Sequence, residues 1–155
     1  MEDVPSDLVR TISRHTVAYI LCFFSELFRH YDLDPLDMLL VHAVMNANSA
    51  TFIRNPELDR RFGSLHTVEP DDLKRGVSRA ALARDLSLPM ETVRRRVDQL
   101  KARGILSEPG RGLIVPEANP LNLGNNHELQ KTNVILLRKM FRDLALAGVE
   151  LPHGV

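Results

Sequence analysis

Basic side chains are concentrated in one part of this 155-residue chain, whose formal net charge is zero. The segment from Lys74 to Arg111 holds ten basic and four acidic residues, whereas the rest holds ten basic and sixteen acidic residues. The two parts therefore carry formal charges of +6 and −6. A localised positive face on a neutral protein is expected of a surface that binds phosphate groups. A solvated, charged helix face is the alternative interpretation of the same residues.

Two short helices joined by a tight turn are predicted to position these cations. Ser78 is a favourable N-cap for a helix that ends near residue 86, and residues 87–89 form the turn. A second helix is predicted over residues 90–103. Its core-facing positions recur at i, i+4 and i+7, and they are Val93, Val97 and Leu100. The opposite face, which contains Arg95, is therefore expected to meet solvent.

The N-terminal half of a helix in this position can reach base edges in the major groove of DNA. Arg95 can donate to O6 and N7 of guanine, and Glu91 can accept from N4 of cytosine. Cations on the sides of the helix would meet phosphates instead. The predicted DNA-binding residues are Arg79, Glu91, Thr92, Arg94, Arg95, Arg96, Gln99, Lys101 and Arg111.

A β-hairpin is predicted after the second helix. Residues 105–108 and 113–115 favour strands, and they flank the turn sequence Pro109-Gly110-Arg111-Gly112. Arg111 at the tip would contact phosphate or the minor groove. The predicted fold class is therefore mainly α with a small β-hairpin wing, a winged helix-turn-helix flanked by long N- and C-terminal helices.

Residues 77–116 resemble the winged helix-turn-helix of bacterial transcriptional regulators, and the local match is closest to the GntR-like DNA-binding motif. The resemblance is carried by Leu82-Ala83, Leu86, Thr92-Val93-Arg94, Leu100, Gly104-Ile105-Leu106 and Gly110-Arg111-Gly112. The order of helices around this motif is similar to the MarR-like arrangement, in which terminal helices of a dimer intertwine. The resemblance implies a sequence-specific transcriptional regulator that binds double-stranded DNA as a dimer on palindromic sites. The alternative is a winged-helix protein–protein interaction module without specific DNA binding.

Long helices are predicted over residues 7–31 and 126–147. The middle of the first, residues 16–28, is apolar on more than one face and needs cover on several sides. We therefore expect the two helices to pack together and form the interface of a two-fold homodimer. The predicted domains are an N-terminal dimerisation helix over 1–33, a DNA-binding domain over 34–116 with a long 50–76 connection, and a linker with a C-terminal dimerisation helix over 117–155.

The remaining features bear on partners and location. The 50–76 connection suggests a small-molecule effector site beside the terminal helices, near Phe24, Phe28, Phe52 and Phe62. Cys22, the single cysteine, excludes an internal disulfide, fits a cytoplasmic protein and is expected to be buried and inert. The apolar run 17–24 is too short to span a bilayer, so no membrane partner is expected. Neither an enzyme nor a catalytic site, metal site or cofactor is predicted, because no motif for one appears in the sequence.

Overall fold

The computed structural model of the protein describes residues 6–110 and 112–151. Its helices, in chain order, are α1 Val9–His30, α2 Pro35–Asn48, α3 Ala50–Ile53, α4 Pro56–Arg61, a 3₁₀ turn Asp71–Leu73, α5 Arg79–Leu86, α6 Met90–Ala102 and α7 His127–Leu146. The chain divides into two compact units. The terminal unit contains α1 and α7, and the central unit, residues 33–126, contains the other helices.

The core of the central unit lies between α2, α5, α6 and the segment that follows α6. The predicted inward positions of α6 are confirmed, since Val93, Val97 and Leu100 are at most 1% exposed. They share this core with the buried side chains of Met38, Leu40, Val41, Val44, Leu82, Ile105, Leu106, Leu113, Ile114 and Val115. The α6 face opposite to these residues is therefore left to solvent.

The predicted β-hairpin wing is wrong. No β-strand occurs in residues 6–110 and 112–151, and pairing is limited to two isolated antiparallel bridges, Val77 with Leu113 and Ser107 with Ile114. A mainly helical fold without a sheet replaces the predicted winged helix-turn-helix. The side chains of residues 113–115 explain the difference, because all three are buried. A hairpin with one solvated face would alternate buried and exposed side chains instead.

The side chain of Asn48 takes the place of a neighbouring strand. This residue is 2% exposed and lies at the end of α2. Its amide nitrogen donates to the carbonyl oxygens of Arg75 and Leu113 at 2.7 and 3.1 Å. Its carbonyl oxygen accepts from the N–H of Val115 at 3.0 Å. These backbone groups lie beside the bridge between Val77 and Leu113, where a longer strand pairing of residues 75–77 with 113–115 would join them, and one side chain satisfies them instead, as buried polar groups must be.

The terminal unit is built from α1 and α7, which pack against each other as predicted. Tyr19 of α1 donates a hydrogen bond to the side chain of Asn133 in α7. The pKa of Asp143, later in α7, is lowered mainly by the hydrogen bond from Lys139 and, least, by the charge of His15, which lies one turn before Tyr19 in α1. The two helices are therefore antiparallel. Cys22 is exposed on α1, so the expectation of a buried thiol is wrong.

Candidate nucleic-acid interface

Helices α5 and α6 form a helix–turn–helix whose turn is fixed by local backbone interactions. Ser78 caps α5 as predicted, and its hydroxyl accepts from the N–H of Ala81 at 3.0 Å. Ser87 ends α5 in the left-handed conformation, with φ 54°. The N–H of Leu88 then donates to the carbonyl of Ala83 at 2.9 Å. Pro89 precedes the first residue of α6, where its missing N–H costs no helical hydrogen bond.

One row of polar side chains runs along the outer face of α6. Glu91, Arg95 and Gln99 are four residues apart, so they lie one above another on the helix, and all three are exposed. Within the described residues, the side chain of Arg95 makes no hydrogen bond or ion pair. Thr92 is half-buried and lies at the edge of this row. Arg95 and Gln99 are thus the predicted site residues most available to a partner.

A chain of ion pairs crosses from α6 to the start of α5 and to the loop after α6. We call it the charge network, and its members are Glu91, Arg94, Asp98, Arg79, Glu108 and Lys101. Arg79 donates to Glu108 at 2.7 Å and to Asp98 at 3.1 Å. Lys101 donates to Glu108 at 3.0 Å. With three cations and three carboxylates, the network has no formal net charge.

The pKa shifts follow from these contacts. Hydrogen bonds from Arg79 and Lys101 lower the pKa of Glu108, and the hydrogen bond from Arg94 lowers the pKa of Glu91. The same pairs raise the pKa of Arg79 and of Arg94. Because the carboxylate pKa is lower in the folded state, the contribution of Glu108 to stability is present above the ordinary glutamate pKa. It is lost as the pH falls through the lowered value.

Arg96 points away from the outer row and braces α6 against the start of α2. Its Nη1 atom donates to Asp34 at 2.7 Å and to Asp37 at 3.2 Å. These hydrogen bonds raise the pKa of Arg96, while the pKa of Asp34 is lowered first by the N–H of Asp37 and then by Arg96. The Nε atom of Arg96 is buried and has no hydrogen-bond partner in the part of the chain that the structure describes. Arg96 therefore holds helices together, whereas the sequence predicts that it contacts phosphate.

Other cations of the basic segment are also engaged within the molecule. Lys74 donates to Asp71 at 2.9 Å and to the carbonyl of Val115 at 2.7 Å. Arg111 lies outside the described residues, so the predicted contact at the hairpin tip is not placed. Sequence reasoning missed Glu108 and Asp98 as acceptors for the cations. Charge counts give the composition of a segment, but the pairing depends on contacts between residues as far as 62 positions apart.

No family model matches the chain, and neither a curated protein nor a solved structure is significantly similar to it. Residues 6–110 and 112–151 contain no group of three or more His, Cys, Asp or Glu side chains placed to hold a metal ion. The helices of these residues are all too short or too polar to cross a membrane. The candidate interface therefore rests on the geometry of α5 and α6.

Proposed function

We propose that the protein binds double-stranded DNA through the helix–turn–helix of α5 and α6, and acts as a cytoplasmic, homodimeric regulator of transcription. The observation that carries this proposal is the outer row of α6. It is a straight, solvent-exposed line of polar side chains on a helix that is anchored by fully buried residues on its other face. A rigid helix with an exposed polar face is what the major groove of DNA accepts.

Within the outer row, each side chain has a chemical role. Arg95 has its donors available for the O6 and N7 acceptors of guanine, and the neighbouring Gln99 can pair with adenine. Arg94 and Lys101 lie beside the row and already bind carboxylates. Phosphate oxygens would have to replace those carboxylates, so binding exchanges ion pairs within the protein for ion pairs with DNA. This exchange makes affinity modest on random DNA and leaves specificity to Arg95 and Gln99.

The test begins with selection of bound sites from random duplex DNA, followed by fluorescence anisotropy on the selected site. We expect Arg95→Ala to cost about 1–3 kcal/mol on that site and to relax preference at one base position. Arg84→Ala is the matched control. It removes the same charge from α5, where the side chain of Arg84 is 74% exposed and, among the described residues, pairs only with the adjacent Asp85.

The outcome decides between specific recognition and general charge attraction. A loss confined to Arg95→Ala and to one base position supports the proposal. Equal losses for both variants would mean that charge alone attracts DNA to this surface. If selection enriches no sequence and neither variant changes binding, the outer row is not a DNA surface.

A protein-binding module is the second candidate function, and the charge network favours it. Glu91, Asp98 and Glu108 place carboxylates among the cations of the same surface, where they repel phosphate. A surface of alternating charges suits another protein that carries a complementary pattern. In that case, Arg95→Ala would weaken capture of a protein partner and leave DNA binding unchanged.

A further inference from the structure

The terminal unit carries a second apolar stripe on each helix, separate from the residues that join α1 to α7. Leu27 of α1 and Leu129 and Leu144 of α7 are buried. The outward stripe of α1 contains Val17, Ile20, Leu21, Phe24 and Phe28, which are 38–62% exposed. The outward stripe of α7 contains Val134 and Phe141, each 45% exposed. We refer to these seven residues as the outward face.

The two stripes lie on the same side of the helix pair. At about 100° per residue, Phe24 and Phe28 are about 60–100° around α1 from Leu27. Val134 and Phe141 are about 60–80° around α7 from Leu144, in the same rotational sense. Two antiparallel helices are related by a two-fold axis normal to their common plane. Equal rotations from the line of contact therefore turn both stripes to one side of that plane.

The outward face has the dimensions of a stable protein–protein contact. α1 and α7 have 22 and 20 residues, which correspond to lengths of about 30 Å. Two helices packed 8–10 Å apart make a layer about 20 Å wide. The footprint of the whole helix pair, polar and apolar residues together, is about 600 Å², somewhat below the roughly 800 Å² that each partner buries in a standard interface. The seven exposed apolar residues on it make a large apolar patch for a monomeric protein.

We propose that the outward face is the contact between two copies of this chain, which stack as two-helix layers into a four-helix arrangement. A two-fold axis places the same face on both partners, so an apolar face meets its own apolar match. The exposed cations on this side are Arg10 and Arg14 on α1 and Lys131, Arg138 and Arg142 on α7. In a two-fold pair they meet like charges along the rims of the contact. This inference deepens the proposed function, because a two-fold DNA site requires a two-fold protein.

Analytical ultracentrifugation of the full chain tests the contact. We expect a dimer at about 10 µM, the range in which obligate dimers persist. Leu21→Glu should weaken association at least ten-fold, because each copy then brings a carboxylate into the apolar contact. Ile135→Glu is the matched control. Ile135 is 65% exposed, compared with 62% for Leu21, but it lies about 180° around α7 from Leu144.

Measurements with salt and lipid vesicles show whether the outward face binds a second copy of the chain or a membrane. Added salt should tighten the dimer, since it screens the like-charged rims. The rival occupant is an anionic membrane, which would attract the same cations and release them in salt. A monomer at 100 µM, equal effects of Leu21→Glu and Ile135→Glu, or salt-sensitive binding to vesicles that contain phosphatidylserine through Leu21 would each overturn the proposal.

Sedimentation and DNA binding test the dimer contact and the DNA surface separately. Arg95→Ala should leave sedimentation unchanged, and Leu21→Glu should leave the contacts of a single DNA half-site intact. A dimer that does not bind DNA would support the outward face and refute the proposed function. A monomer that recognises a specific sequence would do the reverse.

Discussion

At the scale of single residues, Glu108 governs the electrostatics of the candidate interface. Its carboxylate accepts from both Arg79 and Lys101, and thereby lowers the positive potential that DNA would meet. The residue comes from the loop after α6, not from either helix of the helix–turn–helix. A single loop position thus sets how much charge two helices present to a partner.

Replacing Glu108 should strengthen general DNA binding. Among the described residues, Glu108→Gln leaves Lys101 without an ion pair and Arg79 paired with Asp98 alone, so both cations become more available to phosphate. We expect several-fold tighter binding to random duplex DNA, and a salt dependence steeper by about one released ion per subunit. Anisotropy titrations at several salt concentrations measure both quantities.

Glu117→Gln provides the comparison for this change. Glu117 is exposed, and its backbone N–H, not its carboxylate, makes the contact with Asp71. The variant changes the net charge equally but releases no cation. Tightening of the same size in both variants would show that total charge, and not the charge network, controls binding.

At the scale of elements, Asn48 connects α2 to the segment that follows α6. Asn48→Ala removes the hydrogen bonds to the N–H of Val115 and the carbonyl of Arg75, and one of the two that the carbonyl of Leu113 accepts, since the N–H of Val77 still donates to it. We expect a loss of about 2–4 kcal/mol in the free energy of unfolding, since buried polar groups without partners are costly. Urea denaturation followed by circular dichroism measures it.

Asn46 offers a control on the same helix. It is exposed, so Asn46→Ala should change stability by less than about 0.5 kcal/mol. If Asn48→Ala were as mild, water would have to satisfy the backbone groups, and Asn48 would not be the element that replaces a strand.

The helices could be predicted from the sequence, while the hairpin could not. The inward face of α6 follows from the spacing of Val93, Val97 and Leu100, because burial and helical period act locally. The strand pattern of residues 113–115 is also local, but on the side that faces residues 75–77 a buried side chain from α2 takes hydrogen bonds that strand pairing would make. Residue patterns give no sign of that competitor. For the same reason, the outer position of Arg95 was predictable, whereas the pairing of Arg79 with Glu108 and the bracing role of Arg96 were not.

At the scale of the whole molecule, dimerisation and DNA binding should be thermodynamically linked. If two copies join through the outward face and each binds DNA through α6, as proposed, the second contact with one DNA becomes intramolecular. The linkage predicts a site with two inverted half-sites, whose centres are about one helical turn or a multiple apart. The gain in affinity for two half-sites over one comes from the dimer and not from any added contact with bases.

The linkage predicts that loss of the dimer lowers affinity for DNA with two half-sites but not for DNA with one. Leu21→Glu should lower affinity for a two-half-site DNA by about 100-fold or more, and leave affinity for one half-site nearly unchanged. Inserting five base pairs between the half-sites should have the same effect on the unaltered protein, because it rotates one half-site to the opposite side of the duplex. Anisotropy with the three DNAs, each with the unaltered protein, Leu21→Glu and Ile135→Glu, measures the linkage. Equal losses on single and double sites would instead place Leu21 in the folding of the terminal unit, since a dimer contact acts only where two copies bind together.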